Sequence, residues 1–511
     1  MSRVSMTVRN AKVSVVFYFL ATFTAFFTRK IFLDYLGDDF IGLTGTLKSI
    51  IGFLNIAELG IGTAIAFTLY KPLFEKNQDE IKRLIYLIGY LYKRLGLFIL
   101  GAGIILSFFF PIIFGNQSIR EVVIYVGFYS YLFAAVFGFF INYAQVVLSA
   151  DQRGYIITSY YQSFNIARQV VQALIAYYLQ SPLLWLSMEA IFSIANSYYI
   201  NKKVHSSYPY INQGLKTNKN IFKEYPVVIK KIKQVFVHKI SSFVTSGTDQ
   251  LLIYALVSLK SVAFFGNYYM IFHQINVLVS YLFSGMAAGV GNLVAENNIK
   301  QIKKIFWEMM GIRVCLAGII IINLYYLADP FIVLWLGEQY ILERMVINLM
   351  MFNLVLQIIR LPIDNYITAY GLYQDTWAPI AQMFINLGVS IVFGLKMGIA
   401  GIMLGTSISM FTIIFLWKPY FLFKNGFQQK ALAHFWPNFA KVIASLVISF
   451  VLVRFTIDEF MALTTNSIQG FAIALVKINL IAFLVIPLIL YLFNKGFRDF
   501  ITRLIYMLKK R

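Results

Sequence analysis

Cysteine occurs once in 511 residues, at Cys315, so no internal disulfide can form and no thiolate metal site is available. Histidine is nearly as scarce. His205, His238, His273 and His434 are scattered without ligand spacing, so neither a metal nor any other cofactor is expected. Charge is the third deficit: 13% of residues are charged and 59% hydrophobic, against about 25% and about 45–50% in soluble chains. With a mean hydropathy of +0.72, this excludes a water-soluble protein. No alternating strand pattern is present either, which leaves helices to satisfy the backbone in lipid.

What is present is a succession of apolar blocks, each near the roughly 20 helical residues that cross a hydrocarbon core of about 30 Å. The spacing predicts an all-α integral membrane protein of about fourteen transmembrane helices. The expected spans are 13–33, 44–69, 95–114, 122–148, 155–179, 183–199, 235–257, 264–290, 310–327, 345–369, 377–395, 402–416, 440–457 and 468–493. The basic start and apolar run at the N-terminus lack a small-residue cleavage site and read as a retained first helix.

A net charge of +22 would suit nucleic acid, but its distribution argues otherwise. Lys and Arg gather in alternate loops, among them Lys71 to Arg94, Lys202 to Lys233, Lys300 to Lys304, Lys418 to Lys441 and Lys495 to Arg511. The intervening loops hold few cations beside Asp38, Asp39, Asp329, Glu338, Asp458 and Glu459. The positive-inside rule then puts both termini in the cytoplasm, and no nucleic-acid partner is expected. Two segments are amphipathic and basic, Pro226 to Phe236 and Phe497 to Lys510. They read as interfacial helices touching anionic membrane lipid.

An offset of about 220 residues relates Gly45 to Gly266 and Asn165 to Asn386, and brings Pro111-Ile-Ile-Phe-Gly near Pro330-Phe-Ile-Val-Leu-Trp-Leu-Gly. Residues 1–210 therefore read as a six-helix bundle, and 211–430 as a second one preceded by a cytoplasmic amphipathic segment. Residues 431–511 add two helices and the basic C-terminal helix. Six spans per repeat is even, so the pseudo-symmetric bundles run in the same direction and a substrate belongs between them. The pairs Gly401/Gly405 and Gly285/Gly289 have the spacing of close helix packing.

An ionisable side chain at mid-bilayer costs about 2.5–3.5 kcal/mol on insertion scales and normally faces a partner or a wet cavity. Within or near the spans stand Arg29, Lys48, Arg168, Lys239, Arg313, Arg360 and Lys477, against Glu58, Glu189, Asp249 and Asp364. The excess is cationic and suits a phosphate-bearing substrate. Tyr18, Thr22 and Arg29 share one stripe of the first helix, and Lys239, Ser242, Ser246 and Asp249 one stripe of the seventh. Arg29, Lys48, Arg168, Lys239 and Arg360 are the candidate substrate-binding residues, the arginines favoured for bidentate grip on pyrophosphate. The competing reading is helix-gluing ion pairs, such as Arg168 with Glu189.

Several motifs carry a resemblance. They are Tyr35-Leu-Gly, Gly42-Leu, Ala57-Glu-Leu-Gly-Ile-Gly-Thr-Ala, Leu69-Tyr-Lys-Pro, His238-Lys-Ile, Thr248-Asp-Gln, Gly266-Asn-Tyr-Tyr, Arg360-Leu-Pro and Gly398-Ile-Ala-Gly. Together they resemble the polysaccharide transporter (Wzx-like flippase) family of the multidrug/oligosaccharidyl-lipid/polysaccharide exporter superfamily, from the first helix through the twelfth. The resemblance implies a bacterial inner-membrane flippase for undecaprenyl-pyrophosphate-linked repeat units, working by alternating access in O-antigen, capsule or exopolysaccharide assembly. It also implies polymerase or chain-length proteins as pathway partners, and Glu58 or Asp249 as ion-coupling residues. Two readings stay open beside it. A drug or metabolite antiporter of the same architecture expects an acidic cavity. A polymerase or glycosyltransferase expects a large external loop.

Overall fold

The computed structural model describes residues 3–58, 61–115, 117, 119–212, 225, 240, 244, 247–283, 286–372 and 374–509. All regular structure among them is helical. The chain divides into two compact units, Met1–Ala263 and Phe264–Arg511. The repeat boundary expected at residue 211 concerns sequence similarity rather than packing.

In the first unit α1 (Arg3–Leu36) runs 34 residues and turns at Gly37, whose φ of 85° suits a residue without a Cβ. Phe19, Phe23 and Phe27 are exposed along one face at intervals of four, an apolar stripe, while Tyr18, Thr22 and Arg29 are partly covered. α2 (Asp38–Leu54) starts with two carboxylates in its first turn, where they meet the partial positive charge of the helix end. A tight turn over Asn55–Glu58 interrupts the helix before α3 (Ile61–Phe74), so the expected span 44–69 is a broken one. α4 (Gln78–Ser107) is capped by the Asn77 side chain, which accepts from the Glu80 amide. The short α5 (Phe110–Phe114), α6 (Glu121–Ile141) and α7 (Val146–Ala150) follow.

α8 (Gly154–Leu174) continues through a π-type turn to Leu179. α9 (Pro182–Ser207) has Pro at its first position, where the missing N–H costs nothing. α1 packs on α8, and α9 on α6 and α8. Ile65, Leu69, Leu84, Ile88, Val147, Ile200 and Val204 form an apolar core at one end of this unit. Beside it the Tyr208 hydroxyl donates to Asp151 at 2.6 Å; burial and that bond push its pKa up, so it remains a donor. The unit closes with α10 (Asp249–Leu256), the part of the seventh expected span that is described as a helix. The amphipathic segment expected at 226–236 lies outside the described residues, as does Lys239.

The second unit contains α11 (Leu259–Leu282), whose first residues belong to the first unit, and α12 (Met286–Ala295). Its spine is α13 (Ile299–Trp335), 37 residues long, which packs on α14 (Arg344–Ala369), α19 (Trp436–Phe460), α20 (Ile468–Phe493) and α21 (Lys495–Lys509). α15 (Trp377–Met397) and α16 (Ile399–Ser409) form a hairpin that leads through a π-type stretch to α17 (Lys418–Asn425) and the short α18 (Ala431–His434). Asn323 on α13 and Asn479 on α20 exchange side-chain amide hydrogen bonds at 3.2 and 3.1 Å, which satisfies two polar groups within apolar helices. The C-terminal helix is pinned to α13. Phe497 is buried against Gly311, Arg503 pairs with Glu308 at 2.7 Å, and Leu504, Ile505 and Tyr506 stay exposed.

Nine described helices are long and apolar enough to cross a membrane: 9–36, 78–107, 121–150, 299–335, 344–369, 377–397, 399–425, 431–460 and 468–493. Helices over 38–74, 154–179, 182–207, 249–256 and 259–282 occupy the places of the other expected spans.

The glycine spacing at 401 and 405 is used for contact. A Cβ on Gly405 would fall 2.2 Å from Ser390 Oγ and 2.5 Å from its backbone nitrogen, and one on Gly401 would fall 2.1 Å from the Phe393 carbonyl oxygen. Gly289, by contrast, has no described atom within 4 Å of a Cβ position, and Gly285 lies outside the described residues. Gly405→Ala is expected to pry α16 from α15 and strain the Asn386-to-Thr406 and Ser390-to-Ile402 hydrogen bonds, both 3.0 Å. Overpacking of this kind costs about 1–3 kcal/mol. It should lower the melting temperature of the detergent-solubilised protein; an unchanged value would mean the hairpin yields freely.

Candidate functional site

Four helices of the first unit bring charged side chains to one level. Arg29 stands seven residues before the end of α1, Lys48 ten residues into α2, Arg168 eleven before Leu179, and Glu189 seven after Pro182. At about 1.5 Å per residue, each lies roughly 10–17 Å in from the same end of the bundle, well inside the hydrocarbon thickness.

Lys48 and Arg168 meet on the carboxylate of Glu189. Glu189 is 4% exposed and accepts from the Arg168 guanidinium on one oxygen and from Gln172 Nε2 at 3.2 Å on the other. Lys48 Nζ is 3.9 Å from that second oxygen and 5.3 Å from the centroid of the Tyr131 ring. A second guanidinium nitrogen of Arg168 donates to Asn165 Oδ1 at 2.8 Å, one turn back on α8, which fixes the plane of the fork. Arg29 acts electrostatically on Lys48, as Arg168 does, and donates to the Ala263 carbonyl at 3.1 Å. Thr28 and Gln169 make a longer contact of 3.4 Å between α1 and α8 beside it.

Two cations, Lys48 and Arg168, face this one carboxylate, and Arg29 acts on Lys48 from nearby. Glu189 is almost wholly covered, while the Lys48 side chain is 51% exposed, so the lysine side is the less covered side of the group. Like charges gathered inside a span are repulsive and costly to desolvate. The arrangement therefore leaves net positive charge on the less covered side of the group, which favours an anion.

Further from the centre, Asp38, Asp39, Arg120 and Lys260 line a cavity of about 400 Å³ at the α1–α2 turn, with Lys260 Nζ 3.9 Å from Asp38. Glu58 sits in the turn between α2 and α3 and accepts from the Tyr92 hydroxyl at 2.7 Å. Asp249 is buried at the first turn of α10. In the second unit Arg360 pairs with Asp364 one turn on, at 3.0 Å, and Lys418 reaches the other oxygen of that carboxylate at 2.6 Å.

The structure thus joins Lys48 and Arg168 on Glu189 and puts Arg29 within electrostatic reach of Lys48. It puts Arg360 in the second unit with its own carboxylate and a second cation, and it leaves Lys239 outside the described residues. Two residues of these ion-pair groups, Glu189 and Lys418, stand outside the candidates read from sequence. Glu189 was read only as a partner of Arg168, although an acid in an apolar span whose neighbours carry cations signals a hub. Lys418 was assigned to a cytoplasmic loop by its charge. Among the described residues no group of three His, Cys, Asp or Glu side chains could hold a metal.

These features define a multi-pass, all-helical membrane protein. No family model and no curated protein sequence matches the chain. Among solved structures, its fold is similar to that of the lipid II flippase MurJ in an inward closed conformation, with a TM-score of 0.64 at 17% identity over 95% of this chain and 99% of that one. It is also similar to an inward-facing multidrug resistance MATE family transporter of the MOP superfamily, with a TM-score of 0.58 at 13% identity over 80% and 97%. A MATE transporter of Vibrio cholerae follows, with a TM-score of 0.50 at 13% identity over 83% and 99%. The chain has the fold of the MOP transporters.

Proposed function

We propose that the protein is a flippase that carries undecaprenyl-pyrophosphate-linked oligosaccharide units across the bacterial cytoplasmic membrane by alternating access, with both termini in the cytoplasm. The observation that supports this reading is the convergence of Lys48 and Arg168 on the single carboxylate of Glu189, with Arg29 acting on Lys48 from nearby. Lys48 and Arg168 against one carboxylate leave a net positive charge, which suits a diphosphate diester. Guanidinium groups grip such an anion with paired hydrogen bonds. The fold's likeness to a lipid II flippase supports a lipid-linked cargo. Residues 1–210 and 211–430 would form the two pseudo-symmetric bundles, and Lys239 and Arg360 would add cations from the second of them. O-antigen, capsule or exopolysaccharide assembly is the proposed pathway, with polymerase or chain-length proteins as neighbours.

A drug antiporter shares the fold, as the MATE neighbours do. Its cationic substrates would be repelled by this cluster, which favours the flippase. Glu58 and Asp249 remain the proposed ion-coupling residues.

Arg29→Ala and Arg360→Ala are each expected to reduce surface polysaccharide at least about tenfold in cells lacking the wild-type gene, the loss of roughly one charge-assisted grip. Both variants should insert at normal levels. Wild-type polysaccharide in both would remove the site assignment, and restored drug resistance in a sensitive strain would favour the antiporter.

A further inference from the structure

Glu189 is the one acidic group in the cluster, and its position is odd for a site that attracts anions. A carboxylate 4% exposed, held by Arg168, Gln172 and Lys48, spends two of the cations that a diphosphate would need. The geometry of the Arg168 fork makes the conflict direct. One guanidinium nitrogen is fixed by Asn165 and another is taken by Glu189, so a phosphate oxygen can be gripped on that edge only if the carboxylate gives way.

We infer that Glu189 is a built-in substitute for the substrate's phosphate, a positioning residue that occupies the Arg168 and Lys48 donors in the empty protein and yields them when a diphosphate arrives. This rests on the flippase reading above. Two physical demands are met together. In the empty state the buried cations stay paired, which avoids the desolvation penalty of bare charge. In the loaded state the carboxylate remains nearby as a competitor, so the diphosphate is never held by an uncompensated cluster and can leave on the far side. Affinity is thereby limited to favour release, since differences among related complexes appear mainly in dissociation.

The test is binding and transport by Glu189→Gln, with undecaprenyl diphosphate carrying one N-acetylglucosamine as the lipid-linked probe and inorganic pyrophosphate as the free-headgroup probe. The amide still accepts from Arg168 but carries no charge. The lipid-linked probe should bind about tenfold tighter than to wild type, a change of about 1.4 kcal/mol, while turnover in proteoliposomes falls. Pyrophosphate should follow the same direction if the headgroup alone is recognised, and stay unchanged if the lipid is required to reach the site.

A purely structural tie between α8 and α9 makes a different prediction, and the exchange Arg168→Glu with Glu189→Arg separates them. That variant restores an ion pair and should fold, yet should neither bind nor transport. Recovered transport in the exchange variant, or lipid-linked probe binding to Glu189→Gln that is no tighter than wild type, overturns the inference while leaving the flippase reading intact. Failure of the wild-type protein to bind the lipid-linked probe would instead remove both. Should Glu189→Gln not fold, the exchange variant decides alone.

Discussion

Arg168→Ala is expected to abolish surface polysaccharide and to lower thermal stability sharply, the largest effect of any single substitution in the chain. The substitution leaves Glu189 buried at 4% exposure with only Lys48, at 3.9 Å, for electrostatic compensation. Removing one member of a buried pair costs about 3–5 kcal/mol, because the remaining charge is desolvated without its counter-ion. Arg168→Lys should fall between, since an ammonium cannot reach Asn165 and Glu189 as a planar fork does. The double change Arg168→Gln with Glu189→Gln separates stability from function. It should recover most of the melting temperature in detergent, since amide pairs carry no bare charge, and still export no polysaccharide. A double variant as unstable as Arg168→Ala would mean that burial of the charge is not what the pair offsets.

The second large effect is expected at Gly42. A Cβ there would fall 1.9 Å from the Leu259 carbonyl oxygen and 2.6 Å from its carbon, both backbone atoms that no rotamer change can move. Two neighbouring interactions hold the same stretch, Arg29 to the Ala263 carbonyl and Lys260 to Asp38, and a third, Gln250 with Ser49 at 3.3 Å, holds the preceding α10 against α2. Gly42→Ala must push residues 259–263 away and loosen all three. The strain is about 1–3 kcal/mol, which corresponds to roughly a fivefold to hundredfold shift between conformers. In a background without Cys315, a cysteine at Gln250 should become more reactive to a membrane-impermeant maleimide when Gly42→Ala is added. Equal reactivity in the two backgrounds would show that the contact does not hold this segment.

Much of the fold was legible because hydropathy reports burial in lipid directly. The block 377–395 is α15 almost to the residue, and 345–369 is α14. Helix ends were not legible, since a helix continues into polar residues once its core is in place. The block 310–327 is the middle of a helix that runs from Ile299 to Trp335. The interruption at Asn55–Glu58 was invisible for a related reason, because apolar residues continue on both sides of the turn.

At the site, Arg29, Lys48 and Arg168 could be named as charges out of place, and the pairing of Arg168 with Glu189 followed from adjacent spans. That Lys48 joins the same carboxylate depends on how α2 is rotated against α6 and α9, which one-dimensional spacing does not encode. Lys418 shows the limit in another form. A lysine at the end of an apolar block looks like a loop charge under the positive-inside rule, yet its long side chain reaches back to Asp364 beside Arg360.

The C-terminal helix sets a height. α13 is about 55 Å long, far more than a hydrocarbon core of about 30 Å requires. Gly311 and Trp307, where α21 lies against it through Phe497 and Gly496, fall about 12–18 Å from its first residue. We propose that α21, being amphipathic and basic, rides at the headgroup level, where this contact would act as a float clamped to a mast. In that placement, sliding α13 along its own axis would drag the exposed Leu504, Ile505 and Tyr506 out of the interface, which would leave the helix free to tilt but not to sink.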